Sequence, residues 1–168
     1  MTDTIDINEF SAMFAGIGDQ VSAMDYSEVL KETADDFRTI HEGYFDRSAG
    51  PDGSKWAEWY FRAKNAPADH KTLVVTGRLK QSLISGPDHI ENVESRGLLF
   101  GTSVPYSFQN NEGGTFPVDE VLIGRRGGMK RPGDTITLPK REHVGITDTD
   151  VDKIANRVAD ATVEKLKQ

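Results

Sequence analysis

The amino-acid sequence predicts a single α+β domain. Two stretches, residues 27–46 and 147–166, carry apolar side chains at three- and four-residue steps, which is typical of helices that pack on a core. Between them lie short runs of β-forming residues separated by Gly and Pro, which is typical of antiparallel strands. A chain of 168 residues suffices for one core but not comfortably for two, so we expect one domain over residues 1–168.

The first 50 residues predict two helical elements of different strength. Apolar residues recur at helical spacing within residues 7–24, but Gly16 and Gly18 interrupt the pattern. We therefore expect residues 1–25 to form a short helix or an N-terminal arm. Residues 27–46 predict a long helix with Ser27 as its N-cap. Asp35, Asp36 and Glu42 could be interpreted as a pair of hydrolytic carboxylates. We favour the interpretation that these acidic residues form the solvent-exposed face of the helix.

A turn and an aromatic cluster follow the long helix. Proline sets φ, aspartate bonds to the backbone and glycine supplies positive φ at Pro51-Asp52-Gly53. The next segment, residues 56–61, is rich in aromatic residues. It is compatible with a platform for stacked bases, or with a core that also provides a subunit contact. The acidic surroundings favour the second interpretation, with three contact candidates: Trp56, Trp59 and Tyr60.

The middle of the chain predicts short strands and helical turns. Residues 71–76 predict a strand, and Thr76 caps a helical turn that points Leu79 and Leu83 inward. Residues 88–95 and 97–102 then predict an antiparallel hairpin. Residues 107–112 predict a polar helical turn, and residues 135–139 predict a final strand.

A basic segment interrupts these elements, and we interpret residues 115–134 as a mobile loop. Its glycines do not have the spacing of a phosphate-binding loop. The segment is compatible with contact to DNA or to an acidic protein surface, or with a solubilising hairpin tip. Its cationic contact candidates are Arg125, Arg126, Lys130 and Arg131. The last helix, residues 147–166, has two alternative capping boxes, Thr147 with Asp150 or Thr149 with Asp152.

Charge and composition exclude several classes of protein. The net charge is −7, which makes a general nucleic-acid binder a poor candidate. Acidic residues outnumber basic ones 11 to 3 in residues 1–50, whereas residues 121–141 carry 6 basic residues and 1 acidic one. No stretch has the roughly 18 apolar residues of a membrane helix, and the acidic N-terminus does not resemble a signal peptide. The absence of cysteine excludes disulfides, thiolate metal sites and cysteine nucleophiles, and fits a reducing cytoplasm.

The sequence contains no motif for catalysis, metal binding or cofactor binding. The four histidines, at positions 41, 70, 89 and 143, are far apart and form no metal-binding pair. Nucleophile-elbow and dinucleotide motifs are also missing. We therefore expect no enzyme activity, no metal and no cofactor, and the competing hypothesis is a small hydrolase with a site assembled from scattered His, Asp and Glu.

Four motifs, in this order and with these gaps, resemble the phage virion morphogenesis family, the tail-completion proteins that act where head and tail join. They span residues 30–166 together with the flanking helices. The motif residues are Pro51, Asp52, Gly53 and Trp56; Thr76, Gly77, Arg78 and Leu79; Gly101, Thr102 and Tyr106 with Gly113 and Gly114; and Pro139, Arg141 and Gly145. The chain differs from the family pattern at residues 110–112 and 142–143, where polar groups replace apolar ones. We expect that change to affect partner surfaces more than the fold.

The resemblance implies both a fold and a role. The fold is a curved antiparallel sheet packed by a long N-terminal helix and a C-terminal helix, with the motif residues in structural positions. The role is that of a structural virion protein at the neck or tail top, assembled in the host bacterial cytoplasm. Its partners are copies of itself in a ring, which we expect to be a hexamer, and neighbouring neck and tail proteins. DNA passes nearby without sequence-specific binding, and no membrane is involved.

Other roles in assembly remain open from the sequence. The protein could be a tail terminator or a head-side connector within the virion. It could also be an assembly chaperone that leaves before the particle matures. The acidic front and the basic segment at residues 121–141 offer complementary faces for a ring, and a net acidic ring would repel passing DNA if its acids face the lumen.

Overall fold

The computed structural model describes residues 7–58, 71–74, 76–118, 122–123 and 129–167, and the α+β class is confirmed. Helices and strands follow one another along these residues in this order: α1 (Ile7–Ala23), α2 (Ser27–Arg47), α3 (Arg78–Ser82), β1 (His89–Val93), β2 (Leu98–Thr102), α4 (Ser107–Glu112), β3 (Gly114–Pro117), β4 (Leu122–Ile123), β5 (Met129–Lys130), β6 (Thr135–Leu138) and α5 (Asp148–Leu166).

The long helix α2 lies at the centre of the fold. Its apolar stripe contributes Tyr44 and Phe45 to a buried cluster, which also contains Trp56, Leu73, Leu79, Leu83 and Val104. The prediction of Ser27 as N-cap is wrong. Tyr26 occupies that position, and the carboxylate of Asp25 accepts a hydrogen bond from the Ser27 amide at 2.8 Å.

Helix α1 is longer than predicted, and it meets the body of the protein at one end. It continues through Gly16 and Gly18, and a β-carbon added at either glycine would have nothing within 4 Å. At its C-terminal end Arg96 donates a hydrogen bond to the Ser22 carbonyl at 2.8 Å. The buried Tyr26 then fixes the chain, since its hydroxyl lies 2.9 Å from the Thr162 hydroxyl of α5.

The C-terminal helix α5 begins at the first of the two predicted capping boxes. The Thr147 hydroxyl oxygen accepts from the Asp150 amide, and the Asp150 carboxylate accepts from the Thr147 amide, so this prediction is confirmed. The helix packs on α2 without burying any residue completely. Part of the attachment is ionic, since Arg157 contacts the Asp36 carboxylate at 2.8 Å.

The first hairpin packs one face against α2. Strands β1 and β2 pair antiparallel, with Glu91 opposite Phe100. The Phe100 ring contacts the rings of Phe37 and His41 on α2 at 5.4 Å between centroids. The strand predicted over residues 71–76 is wrong for residues 71–74, which form a turn instead. Leu73 has φ of 65° there, outside the β region, and its side chain enters the core.

The remaining strands form two antiparallel ladders, β3 with β6 and β4 with β5, which share one register. Gly114 pairs with Leu138 and Pro117 with Thr135, and the same one-to-one register places Leu122 opposite Lys130. Residues 115–134, predicted as a loop, thus include strand residues, whereas the mobility predicted for them stays a prediction. Among the described residues, the strands form three two-stranded ladders rather than one sheet.

Candidate functional site

Three of the four sequence motifs, the first, the third and the fourth, meet at the segment of residues 139–145, which we call the central segment. This segment contains no helix or strand, yet Arg141 and His143 within it are buried, whereas Pro139 and Lys140 at its start are exposed. Gly145 lies against α2, where its carbonyl accepts from the Tyr44 hydroxyl at 3.3 Å. A β-carbon at Gly145 would lie 3.0 Å from Cγ of the Pro51 ring. The proline of the first motif therefore leaves little room for a side chain at position 145 of the last motif.

The turn motif holds the central segment through its tryptophan. The Trp56 indole donates a hydrogen bond to the Glu142 carbonyl at 3.0 Å, while its ring packs on Phe45 at 5.3 Å. Only 6% of Trp56 is exposed. This fits the core part of the interpretation of residues 56–61 and leaves little of Trp56 for a partner. Trp59 and Tyr60 lie outside the described residues.

Arg141 is a buried cation whose role is to hold backbone. Its guanidinium donates to the carbonyls of Ala57 and Glu58 at 2.9 and 3.3 Å, and only 4% of the residue is exposed. Burial lowers the pKa of Arg141 from its usual range. A guanidinium remains charged even so, because its pKa is far above neutrality. Arg141 therefore ties the chain after Trp56 to the central segment.

The third motif ends against the same segment. Gly113 has φ of 65°, and a β-carbon there would lie within 2.7 Å of the Lys140 Cα. Only glycine fits this conformation and this approach. Just before it, the Asn111 side-chain oxygen accepts from the amides of His143 and Val144, both at 2.9 Å. Asn111 thereby satisfies two backbone donors that no ladder or helix would satisfy.

His143 is fully buried and hydrogen-bonded at both ring nitrogens. Nδ1 lies 2.8 Å from the Arg141 carbonyl, which can only accept, so Nδ1 carries the proton of the neutral ring. Nε2 therefore accepts from the Ser107 hydroxyl at 2.9 Å. Burial lowers the pKa of His143, which keeps the ring neutral. The two departures from the family pattern, at Asn111 and His143, thus contact each other, and the expectation that they alter partner surfaces is wrong for the fully buried His143.

The Ser107–His143 pair resembles a hydrolytic dyad in distance but not in setting. Ser107 is 7% exposed and His143 is 0% exposed, so a substrate has no path to the hydroxyl. A nucleophile must reach the reacting atom at close range. The pair therefore acts as an internal strut.

His41 repeats the arrangement on α2. Its Nδ1 lies 2.6 Å from the Phe37 carbonyl, so Nε2 is the acceptor and receives the Gly145 amide at 3.4 Å. Burial lowers the pKa of His41, although the Asp150 carboxylate acts weakly in the opposite direction. One neutral histidine, His143, therefore lies within the central segment, and a second, His41, contacts the segment from α2.

The second motif joins α3 to the first hairpin. Gly77 has φ of 74° and precedes α3, which directs Leu79 and Leu83 into the core as predicted. The Ser82 hydroxyl lies 2.7 Å from the Thr102 hydroxyl, which links the second motif to the third. Arg78 forms a bidentate pair with Asp88 at 2.7 and 2.8 Å, so its charge is already compensated within the chain.

Ion pairs that the sequence did not indicate join the acidic face of α2 to its neighbours. Asp36 pairs with Arg157 of α5, while Glu42 and Asp46 pair with Lys80 of α3 at 3.0 and 3.1 Å. The solvated face predicted for α2 is therefore partly a contact surface. The spacing of acidic residues along a helix does not indicate which basic residues, far away in the sequence, they will contact. These contacts form only when the chain folds.

The candidate contact residues of the basic segment are only partly visible. Arg131 is exposed, and its amide donates to the Asp134 carboxylate at 2.8 Å. Arg125, Arg126 and the side chain of Lys130 lie outside the described residues. Among the residues described, no group of three or more His, Asp and Glu is placed to hold a metal, and no helix is long and apolar enough to cross a membrane.

Two exposed apolar patches lie on different elements, one on α1 and one at the start of α4. The first is on α1, where Met13, Phe14 and Ile17 are 50%, 55% and 39% exposed. The end of α1 is held at the turn before β2, through Arg96 and Tyr26. The second patch follows β2 and begins α4, where Tyr106 and Phe108 are 41% and 67% exposed.

Comparison with known proteins assigns a family to this arrangement. The family model described as the phage virion morphogenesis family matches residues 5–162. The match includes α1, all four motifs and most of α5. No curated protein and no solved structure matches the chain.

Proposed function

The chain belongs to the phage virion morphogenesis family, and from this premise we propose that it is a structural protein of the head–tail junction. In this role it completes the tail as a component of a neck ring around the DNA conduit. It acts through protein–protein contacts, without catalysis, metal or cofactor. We expect the ring to be a hexamer.

The observation that carries the proposal is the internal use of the motif residues. Among them, Trp56 and Arg141 bind other parts of the same chain, and the buried Ser107–His143 pair is closed to substrate. The described surface has exposed apolar patches and charged residues, and protein–protein contacts use such features. This supports a binding role over the competing hydrolase.

Charge favours a ring in which unlike faces meet. The first 50 residues are strongly acidic and residues 121–141 are basic. Head-to-tail contacts between two different faces generate closed rings when the rotation closes. Reversing the charges of Arg125, Arg126, Lys130 and Arg131 should therefore weaken assembly, and unchanged assembly would count against this arrangement.

Electron microscopy of lysates from a phage that lacks this gene tests the proposal. Filled heads beside separate tails of normal length are the expected result. Overlong tails would assign the protein to tail termination, and empty or leaking heads would assign it to the head side. Absence of the protein from purified particles would instead favour an assembly chaperone, and intact infectious particles would overturn the proposal.

A further inference from the structure

We propose that Asp52 and Gly53 form a site of spontaneous isomerisation to isoaspartate, and that the folded turn and Ser54 suppress this reaction. Aspartate reacts most readily when glycine follows it, because glycine has no β-carbon to hinder attack by its own amide nitrogen. Asp52–Gly53 is the only Asp-Gly or Asn-Gly pair in the sequence. Both residues are exposed, and a β-carbon built at Gly53 would meet no described atom within 4 Å. Neighbouring side chains therefore do not shield the pair.

The reaction needs only these two residues and solvent, and it takes back the water molecule that it releases. The Gly53 backbone nitrogen attacks Cγ of Asp52 and forms a C–N bond, which closes a five-membered succinimide ring. One carboxylate oxygen leaves as water, with the amide proton and one proton from the solvent. Water then adds at one of the two ring carbonyls, and the C–N bond to that carbon breaks. When this carbon is the backbone carbonyl of Asp52, the chain runs through Cβ and Cγ afterwards, which is isoaspartate.

The folded turn binds both reacting groups to other atoms. The Gly53 amide donates a hydrogen bond to the Gly50 carbonyl at 3.0 Å, which fixes the attacking nitrogen within the turn. The Asp52 carboxylate accepts from the Ser54 amide at 2.9 Å and from the Ser54 hydroxyl at 2.7 Å. Reaction requires the nitrogen and Cγ to approach within about 3–3.5 Å in the correct orientation. The turn must therefore open before the ring can close.

Ser54 also keeps the carboxyl group in its less reactive form. The Ser54 hydroxyl, and then its amide, hold the pKa of Asp52 below its ordinary range. The protonated carboxyl, whose oxygen leaves more easily because it already carries a proton, is therefore rarer in the folded turn than in the open chain. Loss of the Ser54 hydroxyl should free the carboxylate and increase the protonated fraction, and both changes accelerate the reaction.

Isomerisation lengthens the backbone inside a closed loop that leads to the core. Ala49 and Lys55 form an antiparallel bridge on either side of the turn, and the Trp56 amide donates to the Ser48 carbonyl at 2.8 Å. These contacts place Trp56, which is 6% exposed, in the buried cluster. One additional methylene group between Ala49 and Lys55 disturbs this pairing. A chain that isomerises while it is unfolded should therefore refold poorly, whereas a folded chain is protected.

Prolonged incubation of the purified full-length protein at neutral pH tests the inference, with isoaspartate at position 52 quantified by peptide mapping. We expect it to form at least about ten times faster in guanidinium chloride than in the folded protein. Ser54→Ala, folded, should react at least about three times faster than the folded wild type, because it lacks a hydrogen bond to a charged group. Ser11→Ala, at an exposed serine of α1, is the matched control and should react like the wild type. Circular dichroism checks that both variants fold. Equal rates in folded and unfolded protein, or in Ser54→Ala and Ser11→Ala, would overturn the inference.

Two further measurements do not depend on whether Ser54→Ala folds. In guanidinium chloride, Gly53→Ala should react several times more slowly than the wild type, because its β-carbon hinders the attacking nitrogen, and an unchanged rate would contradict attack by residue 53. Removal of the denaturant from aged wild-type protein then tests the effect on folding. Chains with isoaspartate at position 52 should be enriched in the fraction that does not regain the native elution volume in size-exclusion chromatography. An equal share of isoaspartate in the native fraction would show that the turn tolerates the longer backbone and would overturn this consequence.

Discussion

The central segment and helix α1 differ in two ways: one lacks regular secondary structure but has many contacts with the rest of the protein, and the other has regular structure but few such contacts. Residues 139–145 adopt no regular structure, but Trp56, Asn111 and Tyr44 each hydrogen-bond to them. Helix α1 is regular over 17 residues, but its middle is exposed throughout. Hydrogen bonding along the chain and burial against the rest of the protein are therefore separate properties. The difference separates residues that maintain the fold from residues available to partners.

The largest expected effect is loss of the tryptophan that holds the central segment. Trp56→Ala should lower the free energy of unfolding by about 3–5 kcal/mol, because it leaves a cavity beside Phe45 and frees the Glu142 carbonyl. Ile17→Ala on α1 should change it by less than about 0.5 kcal/mol. Urea denaturation of the two variants measures both. Similar losses would mean that α1 is as integrated as the central segment.

Two glycine substitutions should have opposite signs. Gly113→Ala should destabilise by about 1–3 kcal/mol from backbone strain alone, and more from the clash with Lys140. Gly16→Ala should stabilise by about 0.5–1 kcal/mol, because alanine favours helix and nothing lies within 4 Å of the added carbon. Thermal denaturation followed by circular dichroism gives the sign of each. Destabilisation by Gly16→Ala would show that α1 is crowded.

The Ser107–His143 strut can be tested with a double-mutant cycle. His143→Phe should cost about 1–3 kcal/mol because it leaves the Ser107 hydroxyl without its acceptor inside the protein. Adding Ser107→Ala removes that unsatisfied group, so the double variant should be more stable than His143→Phe alone. Additive losses in the free energy of unfolding would mean that the two side chains do not interact.

Acid should weaken the central segment before it affects the carboxylates. The pKa values of His41 and His143 lie below the ordinary 6.5, so the unfolded state binds protons first and stability falls as pH drops below about 6.5. Above that pH the contribution is fully present. Asp46 and Asp150 have pKa values below the ordinary 3.8, so they act only at lower pH. The free energy of unfolding of the wild-type protein should decrease as the pH is lowered from 7.5 to 4.5. In the Ser107→Ala/His143→Phe variant it should decrease less steeply. A flat profile would contradict neutral buried histidines.

The smallest expected effect is at the ion pair between α2 and α5. Arg157→Ala should cost about 0–1 kcal/mol, because its partners Asp36 and Glu32 are partly exposed. The loss should shrink in high salt, which screens such pairs. Lys167→Ala, at a more exposed pair within α5, provides the comparison and should have no measurable effect. A larger loss at Lys167 would reverse the ranking of these contacts.

The sequence predicted the elements whose cause is local. The spacing of apolar residues indicated α2 and α5, and Thr147 with Asp150 marked the start of α5. The turn motif predicted positive φ at Gly53, which is confirmed, whereas the positive φ of Gly77 and Gly113 was not predicted. In contrast, Leu73 occupies positive φ because its side chain is drawn into the core, and no local pattern indicates this.

The contacts that form the central segment were beyond local inference. His143 and Asn111 stood out only as departures from a family pattern, and their pairing across 32 residues could not be read from either position alone. A linked pair of departures was the signal that could have suggested contact. The burial of Arg141 could not be predicted either, because basic residues usually lie at the surface and its neighbours in the sequence are basic.

The position of the central segment near the end of the chain has a consequence for synthesis. The ribosome releases α2, Trp56 and Asn111 long before residues 139–145 emerge, because a chain is made from its N-terminus. Until then the donors of Trp56 and Tyr44 lack their partners, and the core beside Phe45 stays open. The part of the core beside the central segment is therefore completed only after residues 139–145 have emerged.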